Sequence, residues 1–482
     1  MDEDDGGLTR SLVTRLVVGL ILVATVLALV EPVVTLLDPV SRNYNEGWNA
    51  LNTQRLLDGK DLYPPDDALF FNNYPPLSFH VVGAVARITD DTLGAGRIVA
   101  LISLLVTVAS VGVIAATILR CRGAGVFAGV LALAVMVAHF EQYVAMNDPQ
   151  MLGHAFQWSA LAIFLRAPES ARRQWIALAL LVAGGLVKHN LVAVPLAMVL
   201  WVAFERRTLL AGVLLRGVVL VAIGVGLLLL SHGPQVFAHV LDHARTFDPA
   251  SGVRRAVDWL GPLWIVFAAA FFLLAPSATD RRAHALRLVV VIGLALGVVF
   301  AGGGGISYNV VFDPVLAACA LAGLVPFRRV SAPVRTRARD LRRAGLVALV
   351  AAVQIVLLVP AIEEGFDRLE RRPQRLATFA DDAAFVAARP GPVLTGTLAL
   401  AHAADKDFTV DLFNVHQAIV SGAMDPQRLI DRIARREFAV IQLSAFDRAN
   451  RLTGPMLAAI EHAYDTARRN DLHGRIYLPE SD

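Results

Sequence analysis

Cysteine is nearly missing from this chain: of 482 residues only Cys121, beside a basic connection, and Cys319, within an apolar run, carry a thiol. Two thiols so far apart in the topology derived below make an unlikely disulfide, and they leave the redox compartment unread. Charge is scarce too, at 18% of residues, and nearly balanced, with 44 basic against 41 acidic side chains. A net charge of +3 gives no electrostatic basis for a nucleic-acid partner. A Walker-type phosphate loop, a dinucleotide fingerprint and an HExxH pair are all absent, so ATP-driven transport has no support. His80, Glu141 and His154 follow no metal-ligand spacing, which leaves metal dependence open, including a role for a divalent cation.

What the chain has in abundance is apolar sequence. The hydrophobic fraction is 56% and the mean hydropathy +0.57, and the apolar residues come in long blocks rather than stripes. Blocks of near-spanning length lie at 12 to 37, 98 to 119, 124 to 140, 149 to 166, 174 to 187, 190 to 204, 208 to 231, 260 to 276, 285 to 301, 310 to 327 and 343 to 360. They predict an α-helical polytopic membrane protein with about eleven transmembrane helices. The first block is too long for a signal-peptide core. Ala28-Leu29-Val30 is a poor cleavage match with Glu31-Pro32 following, so it reads as a retained span.

Arginines set the expected orientation. Arg120/Arg122, Arg166/Arg172/Arg173, Arg206/Arg207, Arg281/Arg282/Arg287 and the run from Arg328 to Arg343 fall in every second connection, which the positive-inside rule places in the cytoplasm with the N-terminus. The remaining connections then face outward: Asp38 to Arg97, His139 to Asp148, the Lys188-His189 corner, Ser231 to Trp259, and Gly302 to Asn309. Pro75 to Thr89 is too short to span but has helical apolar spacing, which predicts a helix lying on the outer membrane surface. Residues 1–360 thus form the membrane unit, with a long first outer loop at 38–97. The mixed composition of 361–482 predicts a small extracytoplasmic α/β domain. Its strands are expected near 392 and 438, and its helices near 375 to 388, 425 to 436 and 453 to 468. The glycine run Gly302 to Gly305 reads as a flexible outer loop.

Polar residues gather at the outer boundaries. The first loop, NYNEGWNALNTQRLLDGKDLYPPDDALFFNNYPPL, is far richer in polar and aromatic side chains than a connector requires. Glu46, flanked by Tyr44, Trp48 and asparagines, is either a reactive carboxylate or the cap of a helix from Gly47 to Leu57. Asp148 stands before the fourth span, either facing a cleft or capping a helix that starts at Pro149, and the two roles are compatible. Lys188-His189-Asn190 interrupts an apolar stretch: the cation either holds a phosphate or snorkels to the headgroups. GGGGISYNVVFDP brings Tyr308 and Asn309 to an outer boundary and puts Asp313 inside the next span, where it needs a partner.

Taken together, the first-loop pattern YNEGWNA with LLDGKDLYP and NNYPPLSFHVVG, the Gly96-Arg97 start of the second span, the Asn147-Asp148-Pro149 corner and the GISYNVVFDP loop resemble the GT-C superfamily. These are the multispanning glycosyltransferases that use polyprenyl-phosphate sugars, including protein O-mannosyltransferases and lipid A aminoarabinose transferases. The resemblance covers most of the chain. It implies a GT-C-type fold and an inverting transferase, with a polyprenyl-phosphate sugar as donor and a glycan, lipid or protein as acceptor. By position it carries the catalytic acids onto Glu46 and Asp148. Many relatives have Asp-Glu where this chain has Asn45-Glu46. In that scheme Lys188, Arg97 and His189 hold the donor phosphate, and Tyr44, Trp48, Tyr74, His80, Tyr308 and Asn309 line the cleft. The Ala-, Arg- and Val-rich composition suggests a bacterium, and hence an inner-membrane location. The other readings are a lipid-linked sugar flippase, a secondary transporter, or a GT-C scaffold without activity. Transporters put polar groups near the bilayer midplane and often show repeated halves, neither of which is seen here.

Overall fold

The computed structural model of the chain describes residues 3–64, 69–242, 245–274, 281–327, 337–407 and 409–480. Each apolar block falls on a helix. In chain order these are Glu3–Ala28, Thr92–Leu119, Arg122–His139, Gln150–Arg166, Ala171–Val187, Ala193–Glu205, Arg207–His232, Trp264–Leu274, Arg281–Ala301, Phe312–Leu324 and Arg337–Glu370. Among the described residues six helical stretches are long and apolar enough to cross a membrane: Thr92–Leu119, Arg122–His139, Arg207–His232, Arg281–Ala301, Tyr308–Phe327 and Ala348–Glu370. The other helices fall short of that measure. Ala193–Glu205 has 13 residues, about 20 Å of helix against a hydrocarbon core of about 30 Å.

Phe312–Leu324 is buried along its whole length and forms the centre of the bundle, packed against Thr92–Leu119, Arg122–His139 and Arg281–Ala301. Arg207–His232 is apolar on every side and lies at the periphery, exposing Leu215, Val218 and Leu230. A helix apolar all round with an uncovered face needs lipid for solvent. Asp313 finds its partners inside the bundle, 3.0 Å from Trp158 Nε1 and 3.1 Å from His154 Nδ1.

The two ends of the bundle differ in chemistry. At one end the arginine-rich connections meet: Arg206 Nε lies 3.1 Å from Glu169, and Arg281 Nε lies 3.5 Å from Glu205. Part of the arginine run, 328 to 336, lies outside the described residues. At the other end the remaining connections converge beneath the C-terminal unit. The segment from 75 to 89 does form a helix there, Leu77–Thr89. The glycine run is not free, because Gly304 N–H donates to Thr246 O and Asp248 N–H to Gly302 O, both at 2.8 Å.

After the helix Arg372–Ala387 the chain builds a four-stranded sheet from β1 (Val393–Thr395), β2 (Val440–Leu443), β3 (Tyr464–Asn470) and β4 (Gly474–Pro479). The spatial order is β1-β2-β4-β3, with β1 parallel to β2 and the other pairs antiparallel. The helix expected at 453 to 468 stops at Ala463, and its last residues are β3. The turn explains the change: Asn470 Oδ1 accepts from the N–H groups of Leu472 and His473, closing a hairpin that pairs β3 with β4. This unit grips the first loop through Asp411 N–H to Leu69 O at 2.7 Å, Lys60 to Asp407 at 2.9 Å and Arg372 to Asp38 at 2.8 Å.

Candidate active site

The helix Tyr44–Leu57 begins at Asn43, whose side chain accepts from Asn45 N–H and Glu46 N–H. Glu46 is therefore inside the first turn and is not its cap. It is 0% exposed, and both carboxylate oxygens are occupied. Oε1 accepts from Arg97 Nε at 2.9 Å and Asn147 N–H at 3.1 Å, and Oε2 from Arg97 Nη2 and Arg42 N–H, both at 2.7 Å. Burial alone would push this carboxyl upward. The adjacent Arg97 charge and its hydrogen bonds outweigh burial and hold Glu46 below the ordinary carboxylate range, so it stays ionised.

Arg97, 1% exposed, spends its other donors on the carbonyls of Thr35, Asp38 and Val40. All five N–H groups are accounted for, which corrects the expectation that Arg97 holds a donor phosphate. Gly96 makes the joint possible, since a Cβ there would lie 1.9 Å from Asn147 Oδ1. The motifs YNEGWN, Gly96-Arg97 and Asn147-Asp148 thus meet in one packed knot.

Beside the knot lies a cavity of about 900 Å³ between the bundle end and the C-terminal unit. Tyr44, Trp48, Tyr74, Lys188, His189 and Asn309 line it. Tyr308 does not: its ring turns into an aromatic cluster with Phe140, Tyr143 and Phe312. Nor does His80, which sits on the exposed side of Leu77–Thr89 with its Nε2 3.3 Å from His232 Nε2. Asp148 stands one side chain behind the wall. Its Oδ2 accepts from Asn45 Nδ2 at 3.3 Å and its Oδ1 lies 3.6 Å from Lys188 Nζ. Lys188 also lies over the Tyr74 ring at 4.9 Å.

The sequence reading missed three cavity-lining groups and one carboxylate behind them. Among the described residues Arg245 and Arg255 line the wall with hydrogen bonds only to carbonyls in and next to the glycine segment: Arg245 to Gly304 O at 3.4 Å, Arg255 to Ala301 O and Gly303 O at 3.0 Å. Their signal was present, since arginines in a connection assigned to the outer face run against the charge rule. Arg451 reaches the cavity from the C-terminal unit and stacks 4.3 Å from the Tyr44 ring centre. Asp411 lies behind it, accepting from Tyr44 OH at 2.6 Å and Trp48 Nε1 at 2.8 Å. Burial raises the Asp411 carboxyl above its ordinary range. Nothing local marked it, because its partners are over 360 positions earlier.

Among the described residues no carboxylate lines this cavity, while Lys188, Arg245, Arg255 and Arg451 do. Such a wall is suited to an anion. No group of three or more His, Cys, Asp or Glu side chains among the described residues is placed to hold a metal ion.

Residues 73–231 match the family of dolichyl-phosphate-mannose-protein mannosyltransferases. No curated protein matches the chain in sequence. In structure the chain is similar to ArnT from Cupriavidus metallidurans. The apo form gives a TM-score of 0.65 at 16% identity, covering 96% of this chain and 98% of that one. ArnT bound to undecaprenyl phosphate gives 0.62 at 14%, covering 97% and 99%. The archaeal oligosaccharyltransferase AglB from Archaeoglobus fulgidus, in complex with an inhibitory peptide and a dolichol-phosphate, gives 0.50 at 12%, covering 96% of this chain and 74% of that one. The chain thus has the fold of the GT-C membrane glycosyltransferases, with a segment that matches their mannosyltransferase family.

Proposed function

We propose that the chain transfers a sugar from a polyprenyl-phosphate donor to an acceptor hydroxyl at the outer face of a bacterial inner membrane. The observation that carries this reading is the cationic cavity, in which Arg245 and Arg255 have no carboxylate partner among the described residues. A polyprenyl phosphate is a good leaving group and needs mainly charge neutralisation as it departs. Lys188, Arg245 and Arg255 supply that, with His189 beside them. The acceptor oxygen bonds to the anomeric carbon as the bond to the phosphate oxygen breaks, a single displacement that inverts the configuration. Asp148, one side chain behind the wall beside Asn45 and Lys188, takes the acceptor proton once Lys188 turns from it to the departing phosphate and opens that side. Glu46 holds Arg97 and the first-loop helix in place and stays out of the chemistry. In this orientation the arginine-rich end is cytoplasmic, and the C-terminal unit and the cavity lie outside.

The test is release of free polyprenyl phosphate from radiolabelled lipid-linked sugars by the purified protein with membrane extract. Sugar-dependent release is expected, with Asp148→Asn and Arg245→Gln each lowering turnover at least about 100-fold. If no donor is turned over while intact donor crosses vesicle membranes, the protein is a carrier and the transferase reading falls.

A further inference from the structure

The cations do not account for the whole lining of the cavity. The stretch of wall built by the helix Leu412–Val420 of the C-terminal unit, beside Arg451 and against Gly304 and Gly305, has another chemistry. Among the described residues Asn414 Oδ1, His416 Nδ1 and Gln417 Oε1 are buried there without a hydrogen-bond partner, and Asn190 Oδ1, from the membrane unit, is in the same state in the cavity lining. Asn414 is 3% exposed and Gln417 8%. Buried polar atoms are nearly always paired, so a cluster of unpaired ones around one cavity points to what fills it.

The orientation of Asn414 is forced. Its Nδ2 donates to Asp411 Oδ2 at 2.5 Å and its backbone N–H to Asp411 Oδ1 at 3.0 Å, and Asp411 is itself held by Tyr44 and Trp48. With the amide nitrogen tied to an acceptor, the carbonyl oxygen is the atom left unpaired. A free acceptor needs a donor. Sugar hydroxyls are donors, whereas an ionised phosphate offers none. An ammonium group on the sugar would find no lining carboxylate among the described residues and would face Arg451, Arg245 and Arg255.

We propose that the Leu412–Val420 wall is the sugar subsite, taking an uncharged, hydroxyl-rich sugar whose hydroxyls donate to Asn414 Oδ1 and Gln417 Oε1, and excluding amino sugars. It rests on the transferase reading, with the donor phosphate at Lys188 and Arg245. The C-terminal unit is then the part of the chain that sets sugar specificity.

The experiment is equilibrium binding to the full chain in lipid nanodiscs of three probes: bare polyprenyl phosphate, its neutral hexosyl ester and its amino-pentosyl ester. The neutral ester is expected to bind at least about tenfold more tightly than the bare lipid, and the amino ester no better than the bare lipid. Gln417→Met, close in shape and without the acceptor, and Asn414→Leu should erase the neutral-sugar gain while still binding the bare lipid. Gln417→Met is the safer variant, since it leaves the Asp411 cluster intact. If Gln417→Met keeps the gain, or if the amino ester binds as well as the neutral one, the sugar subsite is not here. If bare polyprenyl phosphate fails to bind the wild type, the transferase reading falls and the subsite with it.

Discussion

The Glu46 carboxylate has no face left for a substrate, and that shapes what its replacement does. Removing one partner of a buried ion pair strands the other charge, at a cost of about 3–5 kcal/mol. Glu46→Gln should therefore lower the thermal unfolding midpoint by several degrees, whereas Asp148→Asn, whose longer 3.6 Å pair leaves Lys188 its contact with the Tyr74 ring, should lower it less and lose turnover. Thermal unfolding of both variants in detergent separates the two roles. A Glu46→Gln protein as stable as wild type but inactive would return Glu46 to the chemistry. The sequence did mark Glu46, Arg97, Asn147 and Asp148, each within a separate motif that carried the resemblance. It did not show that Glu46 and Arg97, 51 positions apart, are spent on each other, because that is a fact of packing. Arg451 and Asp411 were less visible still, lying in ordinary polar surroundings whose meaning appears only once they meet Tyr44.

At the level of elements, the helix Tyr44–Leu57 packs between the membrane bundle and the C-terminal unit, and Gly47 fixes how near they come. A Cβ on Gly47 would lie 2.3 Å from the Ala399 backbone nitrogen, an atom that cannot swing aside. Gly47→Ala should cost about 1–3 kcal/mol and open the contact with the helix Leu398–Ala403. Limited proteolysis reads it: the variant should be cut there faster than wild type. Gly185→Ala, where nothing lies within 4 Å of the new methyl, should be cut at the wild-type rate. Equal rates for Gly47→Ala would mean that the contact is loose already. Periodicity located the helices well because apolar blocks advertise themselves. It failed for β3 and for the short helices Leu398–Ala403 and Leu412–Val420, which are held by contacts with other parts of the chain.

For the whole molecule, the junction carries two histidines from the C-terminal unit. His402 Nε2 lies 3.1 Å from Thr92 Oγ1, and His416 faces the cavity. Burial holds both below the usual histidine range, although Asp91 and Asp405 pull His402 the other way, and at His416 the Arg451 charge adds to the lowering while a hydrogen bond with the Arg451 backbone opposes it. The unfolded chain then binds protons before the folded one does. Stability is full above about pH 6.5 and is lost as the pH falls through the window between the unfolded and folded values. The unfolding midpoint should drop between pH 7.5 and pH 5, and His402→Gln should flatten part of the slope. A profile unchanged by that substitution would place the pH sensitivity elsewhere.

The Tyr44–Asp411 bond joins residues 367 positions apart, and that separation has a temporal meaning. On the ribosome, the first-loop helix emerges long before the segment that completes its pocket. On the proposed reading, until translation has delivered that segment to the same side of the membrane, the nascent chain would have a place for a lipid phosphate and no wall against which to judge a sugar. With the sugar subsite proposed above, biosynthesis itself would withhold selectivity until the last act of folding.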